Sequence, residues 1–234
     1  MRVLIVKDEQ EGGRIAFDQI KGAMATGQLN VLGLATGGTP CTLYENIRNS
    51  NLDFSNTISV NLDEYVGLGA EDPQSYHYFM QEQLFNVKPF KKSYIPDGKK
   101  GEEACAEYNQ ILKEHPIDLQ ILGLGQNGHI GFNEPGTPFT TPTHKVQLTK
   151  STIEANKRFF DCVEDVPTEA YSMGIDSIMQ AKSIILLAYG EKKADAVAKM
   201  IQGEITEDLP ASILQKHPDV TIIIDEAAAK DLKH

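Results

Sequence analysis

Residues 117–136 read Ile-Asp-Leu-Gln-Ile-Leu-Gly-Leu-Gly-Gln-Asn-Gly-His-Ile-Gly-Phe-Asn-Glu-Pro-Gly. The first half, Ile117 to Leu124, is a largely apolar run ending in glycines, the pattern of a strand buried in a parallel sheet. The second half carries Asn127, His129, Asn133 and Glu134 and closes with Pro135. Proline disfavours helical backbone at the residue before it, so these polar groups belong to a loop. Open α/β sheets place their sites just past the carboxyl ends of their strands, which makes this loop a candidate site. Gly123-x-Gly125-x-x-Gly128 also matches a dinucleotide fingerprint, but that motif needs a helix next. Gly131 and Pro135 interrupt one, and no acidic residue ends a second strand at the expected distance. His129 and Glu134 lack a second His or Cys at a recognised ligand spacing, so no metal is expected.

Upstream, the strand Asn30–Ala35 runs into Thr36-Gly37-Gly38-Thr39-Pro40. Two glycines let the backbone turn its N–H groups inward. Thr39 is expected as the N-cap of a helix and Pro40 as its first residue. Strand, glycine turn and helix N-terminus together suit a phosphate; an ordinary strand-to-helix turn is the alternative. A third strand, Asn56–Leu62, ends in Asp63-Glu64-Tyr65. One of these carboxylates suits a general base, and its neighbour is then structural or solvated. Helices are expected over Ser75–Phe85 and Glu102–Glu114, the latter with Cys105 and Tyr108 on one face.

Downstream, Thr143–Leu148 reads as a strand and Ser151-Thr152-Ile153-Glu154 as a capping box that starts a helix, with Arg158 at its far end. The strand Lys182–Tyr189 is followed by Gly190-Glu191-Lys192-Lys193, which opens another helix. Two lysines in a first turn oppose the helix dipole, a conflict that a bound anion relieves; two solvated lysines are the plainer reading. Asp219–Ile224 is the last strand and Glu226–Lys230 a short closing helix. Strands and helices thus alternate, which predicts one α/β domain over residues 1–234, with a mostly parallel sheet and helices on both faces. The glycine turn, the acidic pair, the His129 loop and the Lys193 turn all follow strands, so they should gather at one edge.

The chain of 234 residues has a formal net charge of −11, which argues against a nucleic-acid face. Cys41, Cys105 and Cys162 form no disulfide framework, which points to a reducing, cytoplasmic compartment. The N-terminus reads as a strand and not as a leader. No apolar run approaches the roughly 20 residues of a membrane span.

Together, Leu32–Pro40, Asn61–Leu68, Ser75–Met80, Gly125–Pro135 and Asn156–Asp161 resemble one family, the glucosamine-6-phosphate deaminases, also called glucosamine-6-phosphate isomerases. The resemblance runs from residue 30 to residue 225. It implies a Rossmann-like α/β fold and conversion of D-glucosamine 6-phosphate and water to D-fructose 6-phosphate and ammonia, with no redox cofactor or catalytic metal. It also implies roles. His129 opens the sugar ring, held and tuned by Glu134, and Asp63 is the base that moves the C2 proton to C1. Thr36, Gly37, Gly38 and Thr39, with Arg158 and Lys193, bind the phosphate. Many members carry Asp where this chain has Asn127, so Asn127 enters the ring-opening group as a hydrogen-bonding member.

By the same resemblance, the segment 143–171 is a lid. Hexameric members bind N-acetylglucosamine 6-phosphate as an activator through basic residues, two of whose positions are His144 and Val146 here, and through a longer C-terminal segment. A monomer is therefore favoured over a hexamer. Two other readings share features with this one. A 6-phosphogluconolactonase needs no C2 base, and a sugar-phosphate-responsive regulator needs an attached DNA-binding segment.

Overall fold

The apolar runs of the sequence become the strands of a parallel sheet in a computed structural model that describes residues 1–157 and 160–233. In chain order the strands are β1 (Arg2–Val6), β2 (Val31–Leu34), β3 (Ile58–Asn61), β4 (Asp63–Tyr65), β5 (Lys92–Tyr94), β6 (Leu119–Gly123), β7 (His144–Gln147), β8 (Glu169–Ser172), β9 (Ser183–Ala188) and β10 (Val220–Asp225). The helices are α1 (Glu9–Ala25), α2 (Cys41–Arg48), α3 (Tyr76–Met80), α4 (Glu103–Glu114), α5 (Lys150–Asn156), α6 (Ile175–Met179) and α7 (Ala194–Gln202). Among the described residues, no helix is long and apolar enough to cross a membrane.

The main sheet has seven strands in the order β1-β10-β9-β6-β2-β3-β5, every neighbouring pair parallel. Burial on both faces explains why its central strands are continuous apolar runs. On one face Leu32, Leu34, Ile121, Leu187 and Ile223 pack with Ile20, Leu43, Ile47 and Met80 of α1, α2 and α3. On the other, Val60, Leu122, Leu186 and Ile222 pack with Tyr108, Ile178, Val197 and Met200 of α4, α6 and α7. Each such side chain contributes about 1.5–3 kcal/mol when fully buried, so the two apolar layers outweigh local propensity in fixing the sheet. From β2 the chain steps to β3 and β5 in one direction, and from β6 to β9 and β10 in the other. The reversal lies between β2 and β6, where such sheets leave a crevice at their carboxyl ends.

Asp63-Glu64-Tyr65 does not prolong the third strand, as the sequence suggested. β3 ends at Asn61, and residues 63–65 form a strand of their own in a second, antiparallel sheet ordered β4-β8-β7. Its register sets Asp63 opposite Ser172 and Val146 opposite Ala170. Tyr65, Phe132, Val146, Leu148 and Ala170 form the small core beneath it.

Other local expectations shift. Pro40, not Thr39, occupies the cap position of α2, and it offers no side-chain hydrogen bond. The cap of α5 is Thr149, whose Oγ1 accepts from the Thr152 N–H at 3.3 Å; Ser151 and Glu154 lie inside the helix, and Glu154 pairs with Lys157. Residues 226–230 form hydrogen-bonded turns anchored by Asp225, not a helix. The helix over residues 75–85 begins as expected but widens to a π-helical turn at Gln81–Phe85.

Candidate active site

The glycine turn leaves β2 at the crevice. Gly37 holds φ at +91°, a backbone state that disfavours other residues. The turn is anchored by Tyr44, whose hydroxyl donates to the Ala35 carbonyl at 2.5 Å and accepts from the Ala35 N–H at 3.2 Å. With proline in the cap position, no side chain among the described residues caps the N–H groups that open α2. That is the electrostatic situation in which an anion is favoured.

The two carboxylates of β4 have different surroundings. Glu64 is fully buried and fully engaged. It accepts from the backbone of Tyr65 (2.8 Å), Tyr76 (3.0 Å) and His77 (3.0 Å), and Nδ1 of His77 lies 2.8 Å away. Glu64 is thus the structural member of the pair, bonded to the first backbone N–H groups of α3. Asp63 has nothing comparable among the described residues. Burial, with a smaller contribution from the Glu64 charge, pushes its pKa up to about 8. A desolvated carboxylate of that kind is a strong base once ionised.

The loop after β6 makes no helix; it turns back through an isolated bridge between Ile130 and Asn133. Gly125 is needed there for space, because a Cβ would lie 2.4 Å from the His129 ring. Asn127 links the imidazole to the carboxylate. Its Oδ1 faces Nδ1 of His129 at 2.7 Å, and its Nδ2 donates to Oε2 of Glu134 at 2.9 Å. The backbone N–H of His129 also donates to that Oδ1, at 3.2 Å. An oxygen flanked in this way accepts only, so Nδ1 carries the ring proton and Nε2 is left as an acceptor. Nδ1 lies 3.6 Å from Oε2 of Glu134. Burial alone would raise the Glu134 pKa, but the nearby His129 imidazole, with hydrogen bonds from Thr152 and Asn127, holds it down to about 2. The carboxylate therefore stays charged at neutral pH.

The end of β8 joins the acidic strand to the His129 loop. Met173 N–H donates to Leu62 O at 2.7 Å, and Nδ2 of the buried Asn133 donates to Met173 O at 2.9 Å. Ser172, opposite Asp63, accepts from the Phe132 N–H at 3.0 Å. The Tyr76 phenol donates to the Tyr65 hydroxyl at 3.2 Å, and the glycine turn follows directly from the end of β2 at the same edge. Lys193 arrives from the turn after β9, and its Nζ donates to Leu124 O at 2.5 Å, just past the end of β6. Thr36, Asp63, His129, Glu134 and Lys193 are thereby held at one edge. Arg158, the other expected phosphate ligand, lies outside the described residues. The sequence reading did not single out His77, Tyr76, Ser172 or Thr152, whose roles depend on contacts distant in sequence.

A cavity of 590 Å³ opens at the opposite, amino edge of the sheet, lined by Arg2, Asn30, Asp118, Lys182 and Asp219 among others. Its charges serve the fold. Asp118 accepts from the N–H groups of Asn30 and Val31 and pairs with Lys182 at 2.6 Å. None of the described site residues borders it.

Comparison with known proteins gives concordant results. The family described as glucosamine-6-phosphate isomerases/6-phosphogluconolactonase matches residues 10–223. A glucosamine-6-phosphate deaminase of Lactobacillus helveticus is 58% identical over 234 residues, covering 99% of this chain and 98% of its own. One of Streptococcus pneumoniae is 61% identical over 230 residues, covering 97% of each. Among solved structures, a monomeric glucosamine-6-phosphate deaminase superposes with a TM-score of 0.96 at 42% identity, over 99% of this chain and 100% of that one.

Proposed function

The chain belongs to the family of glucosamine-6-phosphate isomerases and 6-phosphogluconolactonases, and from that premise we propose that it is a glucosamine-6-phosphate deaminase. It converts D-glucosamine 6-phosphate and water to D-fructose 6-phosphate and ammonia, a step of amino-sugar catabolism. The observation that carries this reading is the desolvated Asp63, opposite the residue that also ties down the His129 loop. Lactone hydrolysis has no use for a base at C2. An aldose–ketose shift requires one.

In this reading the phosphate sits on the turn Thr36–Thr39, with Lys193 and Arg158. His129, with Nε2 free to accept, takes the proton of the anomeric hydroxyl and returns one to the ring oxygen, so that the ring opens. Asn127 fixes its tautomer, and Glu134 stabilises the imidazolium that forms in between. Asp63 then removes the C2 proton and delivers it to C1. The resulting imine is hydrolysed and ammonia leaves.

The segment 143–171 serves as the lid, and the phosphate is what draws it closed. Removing one charge-assisted contact costs about 1.5–3 kcal/mol, so Lys193→Ala should raise KM roughly ten- to a hundredfold. The substrate-analogue concentration needed to slow hydrogen exchange in 143–171 should rise in proportion. A variant with parental KM and parental protection would remove Lys193 from the phosphate site.

We further propose a cytoplasmic monomer without an activator site. Burial holds His144 below the usual imidazole range, so it is neutral at pH 7 and a poor phosphate ligand. Val146 belongs to the small core, and the intervening Lys145 is paired with Glu169 at 3.0 Å. Ammonia release from glucosamine 6-phosphate should be hyperbolic in substrate, and N-acetylglucosamine 6-phosphate should not raise it at low substrate. No ammonia would overturn the deaminase reading. A sigmoidal curve straightened by the acetylated sugar would overturn only the monomer.

A further inference from the structure

We infer that Thr152 is a positioning residue for ring opening: its hydroxyl, carried by α5, holds the Glu134 carboxylate in the orientation through which Asn127 aligns His129. The inference rests on the deaminase reading and adds to it a residue outside the motif loop. Thr152 is 3% exposed, and its Oγ1 donates to Oε1 of Glu134 at 2.5 Å, while the other oxygen, Oε2, accepts from Asn127 at 2.9 Å. The carboxylate is thus clamped from both ends. One end leads to the imidazole and the other to a helix 18 residues further along the chain.

The N-cap of α5 aims the clamp. Thr149 Oγ1 accepts from the Thr152 N–H at 3.3 Å and approaches Thr152 Oγ1 at 3.1 Å as a donor. With its acceptor side taken, the Thr152 hydroxyl turns its proton to the carboxylate. Glu134 is 5% exposed, so water does not readily replace a lost donor at Oε1. A carboxylate short of a partner reorients, and Oε2 then leaves Asn127. The disturbance reaches His129 through two hydrogen bonds, with no contact between Thr152 and the sugar.

One turn further on, and therefore on the same face, Asn156 Nδ2 donates to the Tyr65 hydroxyl at 2.9 Å. Ile153 packs against the core of the second sheet. These contacts keep α5 in place when the Thr152 hydroxyl alone is removed. Since α5 belongs to segment 143–171, the ring-opening group is complete only while that helix is docked.

The test uses Thr152→Val, which keeps the shape and removes the hydroxyl, beside Thr152→Ser, which keeps the hydroxyl and removes a methyl. For the valine variant, kcat should fall about ten- to a hundredfold, the range for one hydrogen bond to a charged group. Its affinity for an acyclic amino-alditol 6-phosphate, which has no ring to open, should stay within about twofold of the parent on the same scale. The serine variant should recover most of the parental kcat. Parental kcat in Thr152→Val overturns the inference. So does an equal loss in both variants, which would mark a packing role, or a loss of analogue affinity matching the loss of kcat, which would mark a docking role. Parental enzyme inactive on glucosamine 6-phosphate would instead fail the deaminase reading itself.

Discussion

Asp63→Asn should bind sugar phosphate normally and lose about two to four orders of magnitude in kcat, the usual contribution of a positioned base. In deuterated water it should also stop introducing solvent deuterium at C1 of the product, because the group that carries the proton between carbons is gone. Undiminished exchange would remove Asp63 from that role. The pH dependence follows from the raised pKa. The base works as the carboxylate, and its proton leaves only near pH 8, so kcat/KM should climb with pH well above the normal carboxylate range. Stability has the opposite slope. The folded protein keeps a proton that the unfolded chain releases near pH 3.8, so this group's contribution is present at low pH and is lost as pH rises toward about 8. Asp63→Asn escapes that loss. Its Tm advantage over the parent should therefore widen between those two values, a gain in stability obtained by giving up activity.

The second large effect is expected at His129. His129→Gln keeps a group able to hydrogen-bond but unable to exchange a proton, and kcat should fall by about two to four orders of magnitude. Binding of the acyclic amino-alditol phosphate should survive, since that compound asks nothing of the ring-opening step. A variant with parental turnover would show that ring opening occurs in solution and that His129 does something else. Both substitutions abolish turnover but at different steps, so a trace of open-chain substrate should be processed by His129→Gln and not by Asp63→Asn.

Much of this was legible in residues 117–136 and 32–40, where local pattern and site chemistry coincide. An apolar run into glycines is a buried strand wherever it occurs, and a proline after Glu134 forces a loop without help from the rest of the fold. The second sheet was not legible. β4 has only three residues, and its partner β8 begins on the order of a hundred residues later, a separation on which no periodicity bears. Residue pattern alone did not distinguish the two neighbouring acids either; only the family resemblance named Asp63. The difference is that α3 presents its first N–H groups to Glu64 and none to Asp63. The cap of α5 was misplaced because Thr149 and Ser151 both have cap chemistry. The choice of Thr149 places Thr152 in the first turn, where its hydroxyl meets Glu134. The amide at position 127 has a clear physical meaning. An amide presents an acceptor to the imidazole and a donor to the carboxylate, whereas a second carboxylate would face Glu134 with like charge.

The pairing of β4 with β8 also limits how such enzymes can be recombined. Residues 143–172 look like a removable cassette, a ribbon and a helix laid over the sheet. Yet one strand of that cassette pairs with Asp63, the base proposed above. A crossover between Tyr65 and His144 would join the base of one parent to the ribbon of another. In an antiparallel pair, a slip of one residue turns every side chain to the opposite face. Asp63 would then point away from the proposed site while the main sheet stayed intact. A chimera that exchanges the ribbon must therefore carry residues 63–65 with it, so the useful unit of exchange is discontinuous in the chain and contiguous only in space.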